Sequence, residues 1–501
     1  MDRRQLLQGF ALSLAAGMVT GSPVLAAGDN WKEDFTRALK QKPWLLGYKG
    51  VDQNFKKTNL KIDGKLPENL KGIFYRNGPA RHEVGDLRYR HWFDGDGMIH
   101  AFNFDGESVT HHGRFVDTIK TEKETEAGRA LFQTFGTAGS SLTSGCSADE
   151  VNVANISVIK HNGELLALWE GGSAYRLDGE TLETLGLKTW TEETAGLPFS
   201  AHPRVDQDGT LWNFGYAPIF GALIVYRISP TGQLIDRALV QKPATPMVHD
   251  FLITENHLIL ILPPYHFDNA SEGAFVDRFN WSPEKGGRAL IIDKNNLAAQ
   301  HEIELPPFWV FHFANAFEDS SGDICFDAPI YQTPDVMTSS FREIMRGNEV
   351  GSDSAQLMKC RLNPLTGNFD MTEIEEAVAS EFPRIDQRMQ GRRHRFTAVM
   401  RGQEGAAYKG INQLMSIDHQ QQTTESYTFP ATEMAEEHVF VPDPDSIEEG
   451  KGWLMGTSLD YKRGKSALNL FDAQRVSDGP VARMEMDYAI PLGLHGNFYS
   501  S

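Results

Sequence analysis

The sequence predicts an all-β fold, a β-propeller, on three observations. The chain of 501 residues is long enough for two or three average domains or for one large β architecture. Beyond residue 30 it is a succession of short apolar runs, each entered through a polar turn. No shift to linker composition divides that succession.

The runs recur along the chain. Asp208-Gly209 leads into Thr210-Leu-Trp-Asn-Phe, and Glu255-Asn256 leads into His257-Leu-Ile-Leu-Ile-Leu. Ser321-Gly322 leads into Asp323-Ile-Cys-Phe, and Glu449-Gly450-Lys451-Gly452 into Trp453-Leu-Met. Strands of this length, each bounded by a turn, build meandering antiparallel sheets. Over about 470 residues without a linker they suit a propeller better than two stacked sandwiches. No tight repeat fixes a blade count. One segment, Thr121–Phe135, is rich in Glu, Ala and Arg and lies off the strand pattern. It reads as a helix and is expected to cover one mouth of the propeller.

The N-terminus reads as a targeting segment. An Arg3-Arg4 pair precedes an apolar stretch from Phe10 to Thr20 and small residues at Val24-Leu25-Ala26 or Leu25-Ala26-Ala27. This predicts a twin-arginine-type signal peptide over 1–27, a single domain over 28–501, and a periplasmic location. The stretch is too short to span a bilayer, and nothing later stays apolar for ~20 residues, so no transmembrane span is expected. Three cysteines, Cys146, Cys325 and Cys360, form no disulfide framework. Their spacing suits neither a zinc nor an iron–sulfur site. With 48 basic and 67 acidic residues the net charge is −19. Such a surface repels nucleic acid and anionic lipid.

Chemistry concentrates in four of the sixteen histidines. His202 lies in Phe199-Ser-Ala-His202-Pro-Arg, His249 in Pro246-Met-Val-His249-Asp250-Phe, and His312 in Phe311-His312-Phe313-Ala-Asn315. His495 lies in Pro491-Leu-Gly-Leu-His495-Gly496. Each is flanked by apolar and small or turn-forming residues, the setting of a side chain aimed into a buried centre. Any one alone reads equally as a satisfied core histidine. Four in such settings, far apart in sequence, fit a radial fold that brings one element per blade to its axis. Imidazole suits Fe, Zn, Cu and Ni, so the residues leave the metal open. Metal-bound imidazoles usually give their other N–H to a carboxylate. Glu170, Glu381 and Glu437 sit in apolar surroundings, and an unpaired carboxylate there is costly, so each needs a partner if buried. The alternative is that they are rim charges.

These motifs, together with Phe74-Tyr75-Arg76-Asn77-Gly78-Pro79, His91-Trp92-Phe93-Asp94-Gly95-Asp96-Gly97-Met98 and Glu381-Phe382-Pro383, resemble the carotenoid cleavage oxygenase family over nearly the whole mature chain. The resemblance implies a seven-bladed propeller with a small helical dome over one face. It implies Fe(2+) held by His202, His249, His312 and His495, with Glu170, Glu381 and Glu437 holding three of those imidazoles. The implied reaction is the O2-dependent scission of a C=C bond to two carbonyls, on a small hydrophobic alkene.

One departure stands out. Many bacterial members carry Asn-Thr where this chain has Asn155-Ile156, so the bulk beside the metal is kept and a hydroxyl is lost. Two substrate classes follow from the resemblance: a carotenoid or apocarotenoid, or a 4-hydroxystilbene or related phenylpropanoid. Lys120 lines up with a lysine that stilbene-cleaving relatives use on the phenol, and Tyr89 with its tyrosine partner. Lys120 also reads as a surface lysine at the foot of the dome. From another class, the chain reads as a non-catalytic propeller that binds ligands or partners, its histidines then being core residues. A zinc or copper hydrolase on this scaffold lacks a recognisable nucleophile or general base.

Overall fold

The computed structural model describes residues 30–242, 244–350, 354–402 and 410–501. The Arg3-Arg4 segment lies outside the described residues. Seven antiparallel sheets of four or five strands make a seven-bladed β-propeller.

The ring is closed at two neighbouring blades. Blade 1 is built on Lys71–Arg81, Asp96–Asp105 and Val109–Phe115, and Gly496–Ser500 from the chain's end pairs with Lys71–Arg81. Blade 7 runs from Glu433–Pro442 out to Pro480–Glu485, where Lys61–Gly64 from near the start of the described chain pairs with it. Early and late segments therefore exchange strands, which pairs edges that would otherwise be open to other chains.

Burial along the strands explains their composition. Val109–Phe115 alternates strictly between buried and half-buried residues, as a strand with one covered face does. Leu211–Ala217 is buried at every position, because both faces of a middle strand pack against neighbouring blades. Interblade layers such as Trp212, Phe214, Leu258, Leu260 and Trp309 form the largest core cluster. Each such side chain contributes about 1.5–3 kcal/mol on burial.

Among the described residues α-helices are few: α1 (Trp31–Leu39), α2 (Ile119–Ala127) and α3 (Phe341–Arg346). The helix expected over Thr121–Phe135 is shorter and starts earlier. Gly128 adopts the left-handed conformation (φ 64), which closes a helix at no steric cost to glycine. Glu124 Oε1 then accepts from the Leu131 and Phe132 amides at 2.9 and 3.3 Å, so the chain beyond turns away. The helical cover over the cavity comes from α3 and the π-turn Val336–Ser340 before it, with α1 packed on α3. No described helix is long and apolar enough to cross a membrane.

Candidate metal centre

The four histidines converge from four blades. His202 and His249 precede the edge strands Arg204–Val205 and Leu252–Ile253. His312 lies between Trp309–Val310 and Ala316–Glu318, and His495 precedes Gly496–Ser500. Their Nε2 atoms meet: His202 to His249 at 3.0 Å, His249 to His312 at 3.3 Å, and His312 to His495 at 3.1 Å.

The outer nitrogens decide what those contacts are. His312 Nδ1 donates to Glu381 Oε2 at 2.6 Å, His495 Nδ1 to Glu437 Oε1 at 2.9 Å, and His249 Nδ1 to Glu170. A carboxylate only accepts, so each Nδ1 carries the proton and each Nε2 presents a lone pair inward. Lone pairs about 3 Å apart repel unless a cation lies among them. The donor set therefore fits a metal that favours imidazole. Burial lowers the His249 and His202 pKa values well below the ordinary range, and the neighbouring imidazoles lower them further. Burial lowers His495 as well, against the pull of Glu437. Neutral imidazoles are the form a metal needs.

The three carboxylates are secured differently. Tyr216 donates to Glu170 at 3.3 Å and Tyr331 to Glu381 at 3.1 Å. Glu437 instead takes a two-point grip from Arg384, at 2.8 and 2.9 Å. Burial by itself raises the Glu437 pKa, but Arg384 and His495 outweigh it and hold the group well below the carboxylate range. His202 has no carboxylate partner among the described residues.

Local sequence explains how the centre is held. The Asn77 amide donates to His495 O at 2.8 Å, and Leu494 N donates to Asn77 O at 2.9 Å, so the Arg-Asn-Gly-Pro motif grips the His495 segment. Arg76 donates to Glu436 at 2.6 Å and to Pro491 O at 2.5 Å. A Cβ at Gly493 would stand 2.4 Å from the Arg76 guanidinium carbon, so any larger residue there would displace Arg76 from Glu436 and Pro491 O. Asn155 donates to Phe93 O and Gly95 O at 2.8 and 2.7 Å, which fixes Phe93 and Ile156 together.

A cavity of about 810 Å³ reaches His249, His312 and His495, a volume typical of small-molecule sites. Beside the histidines its walls are Trp92, Phe93, Ile156, Phe311, Phe341 and Phe382. Phe382 holds a left-handed backbone (φ 52), and its ring stacks on His312 at 5.4 Å and meets His495 at 5.4 Å.

Lys120 and Tyr89 require a correction. Both are fully buried, yet neither lines this cavity. Lys120 Nζ donates to Asp96 at 2.7 Å, to Glu124 at 2.8 Å and to the Tyr89 hydroxyl at 2.5 Å, and Tyr89 donates to Glu124 at 3.1 Å. Arg81 pairs with Asp96 at 3.1 Å, so two cations face two carboxylates. Burial favours loss of the Lys120 proton, but Asp96, Tyr89 and Glu124 outweigh it and raise its pKa well above the usual value. Lys120 is thus neither a surface lysine nor a cavity lysine. Its charge is spent inside the protein.

A second group, Asp327, His394 and His419, also gathers metal-capable atoms among the described residues. The His394 tautomer argues against a metal there. Its Nδ1 sits 3.3 Å from Asn315 Nδ2, whose two protons are directed at Met389 O and Arg392 O, at 3.0 and 2.8 Å. An Nδ1–H would find no acceptor, so the proton is on Nε2 and is given to Asp327 at 3.0 Å. This is a hydrogen-bond network between blades.

The family model described as retinal pigment epithelial membrane protein matches residues 48–500. Apocarotenoid-15,15'-oxygenase of Synechocystis sp. is 29% identical over 485 residues, covering 92% of this chain and 97% of that protein. Resveratrol cleavage oxygenase 1 of Aspergillus fumigatus is 29% identical over 474 residues, covering 88% of this chain and 92% of that protein. The crystal structure of cobalt-substituted Synechocystis ACO superposes with a TM-score of 0.83 at 27% identity, covering 92% of this chain and 99% of that one.

Proposed function

This chain belongs to the retinal pigment epithelial membrane protein family, and from that premise we propose an iron(II) dioxygenase that cleaves a C=C bond of a carotenoid or apocarotenoid to two carbonyls. One observation carries the reading most directly. Three imidazoles, oriented by carboxylates, present bare Nε2 atoms beside a fourth at the end of an aromatic cavity. His202, His249, His312 and His495 would hold the iron, which supplies the one-electron chemistry that O2 needs to react with a closed-shell alkene. The carboxylates fix the tautomer and the aim of the imidazoles, and burial keeps His249 and His495 neutral. The aromatic walls bind a flat conjugated chain through its faces and place one double bond beside the histidines.

The polyene reading is supported by what surrounds the centre. The walls there are mostly aromatic and aliphatic, the carboxylates Glu381 and Glu436 being held by Tyr331 and Arg76, and the Lys120–Tyr89 pair that a phenol would require is engaged with Asp96 and Glu124 away from the cavity. Likeness to resveratrol cleavage oxygenase 1 at the same identity keeps a 4-hydroxystilbene as the second reading. The deciding experiment incubates iron-loaded enzyme with an apocarotenal and with a hydroxystilbene under ¹⁸O2. Labelled aldehydes from the apocarotenal support the first reading, and labelled aromatic aldehydes alone support the second. Failure to consume O2 with either returns the chain to a binding propeller. The Arg3-Arg4 segment supports export as a folded protein. Terminal sequencing of the native protein from each compartment tests this, and an intact Met1 confined to cytosol overturns it.

A further inference from the structure

Beside the main cavity lies a small pocket of about 20 Å³. It shares Phe93, Ile156, His249 and Phe311 with the main cavity, and Phe135, Trp169, Glu170, Met247, Trp309 and Met337 belong to it alone. It thus lies against one of the four histidines, separated from the substrate space by Ile156 and two phenylalanines. Such a volume holds one or two water-sized particles and no segment of a conjugated alkene.

Its chemistry selects among small occupants. A buried water requires two to four polar partners. The Glu170 carboxylate, which also lines the pocket, accepts from His249 on one oxygen and from Tyr216 on the other. The surface that the lining turns into the pocket is almost wholly apolar, and the Trp309 indole N–H is buried without an acceptor. So little polar surface does not give a water its two to four partners. Apolar cavities of this kind stay dry and admit apolar gases. We propose that this side pocket is a dioxygen-holding site, which stores O2 next to His249 while the alkene occupies the main cavity. The proposal rests on the oxygenase reading above. Ile156 acquires a role in it: an aliphatic side chain closes the pocket with carbon where a hydroxyl would invite water.

Xenon is the probe for the protein without turnover, and oxygen kinetics are the probe during it. Crystals of the iron-loaded protein under xenon pressure should show xenon in the side pocket. Met337→Phe and Met247→Phe, which fill the space, should each raise KM for O2 roughly tenfold, the lower end of what one misplaced methylene group costs in an apolar pocket. Iron content and KM for the alkene should stay unchanged. If one variant does not fold, the other and the xenon map decide. Absence of xenon from the pocket overturns the proposal. So does a raised KM for the alkene with an unchanged KM for O2, which would make the pocket a seat for one end of the substrate. An enzyme that binds xenon there but consumes no O2 would instead overturn the oxygenase reading.

Discussion

Arg204 and Asp250, one residing two positions beyond His202 and the other directly after His249, are ion-paired at 2.5 Å. The same Asp250 oxygen accepts the Phe313 amide at 3.0 Å, beside His312. One buried carboxylate therefore ties together the backbones that carry three of the four histidines. Removing one partner of a buried pair costs about 3–5 kcal/mol, because the other charge is left uncompensated. Asp250→Ala should lower stability by about that amount and reduce iron retention, although it touches neither iron nor substrate. Denaturant unfolding and metal analysis after dialysis check this. Unchanged retention in a folded variant would show that the three segments hold their positions without Asp250.

The carboxylates facing the imidazoles should rank by how they are secured. Alanine at His202, His249, His312 or His495 should abolish iron binding. Glutamine at Glu170, Glu381 or Glu437 should cost roughly 10–100-fold in metal affinity. Glu437→Gln should be the most severe, since it also leaves Arg384 without its two-point partner. Metal titration of the seven variants tests the order. An effect from Glu437→Gln equal to that from Glu381→Gln would mean that Arg384 adds nothing.

Lys120→Met should act on stability rather than on substrate choice. Asp96 and Glu124 would lose a shared cation in a fully buried place, a loss of about 3–5 kcal/mol. The ratio of activities on an apocarotenal and a hydroxystilbene should stay fixed at a temperature where the variant is folded. Selective loss of hydroxystilbene cleavage with an unchanged melting temperature would instead place Lys120 against the substrate.

Those expectations show where sequence reading stops. The histidine contexts were legible because each ligand needs a turn and apolar neighbours, and these are local. The three glutamates were legible as carboxylates in apolar surroundings, which need a partner if buried and are otherwise rim charges. Arg384, Tyr216 and Tyr331 were not, because they act through the carboxylates from other blades and carry no local mark. Asp250, next to His249, and Arg204, two residues beyond His202, stand in the same motifs, but only the ring brings them together. The blade count escaped the residues because the blades share geometry without a shared motif. Lys120 was misplaced for a related reason. Chain position fixes its backbone at the start of α2, but Asp96, in a strand of blade 1, decides where its charge is used.

Acid should destabilise the protein well before its carboxylates titrate. Burial pushes His91 down to about 3, and His419 and His438 to about 4, from an ordinary 6.5. Below pH 6.5 the unfolded chain takes up protons on these residues while the folded chain does not. The unfolded state then binds more protons, so stability falls with falling pH from 6.5 towards 4 and is level above that window. Each such group contributes up to about 1.4 kcal/mol per pH unit. Urea midpoints at pH 7.5, 6 and 5 should decline accordingly, and His91→Phe should flatten the slope. A midpoint constant across that range would contradict the burial of these rings.

Phe382 sets backbone strain against ring contact, and two substitutions separate the two. A non-glycine residue in the left-handed region costs about 1–3 kcal/mol where the surroundings enforce it. At Phe382 that backbone turns the residue's own amide onto Glu381 Oε2 at 2.7 Å and lays the ring on His312 and His495. Phe382→Leu keeps the strain and loses the ring faces, contacts worth about 0.5–1.5 kcal/mol for aromatic pairs, so it should melt earlier. Phe382→Gly relieves the strain and should melt near the unaltered protein despite losing the whole side chain. Both should raise KM for the alkene, because the cavity loses a wall beside the histidines. Thermal unfolding and steady-state kinetics on the pair decide. Should Phe382→Gly lose stability as fully as Phe382→Leu, the strain carries no appreciable energy, and the ring alone accounts for a phenylalanine at this position.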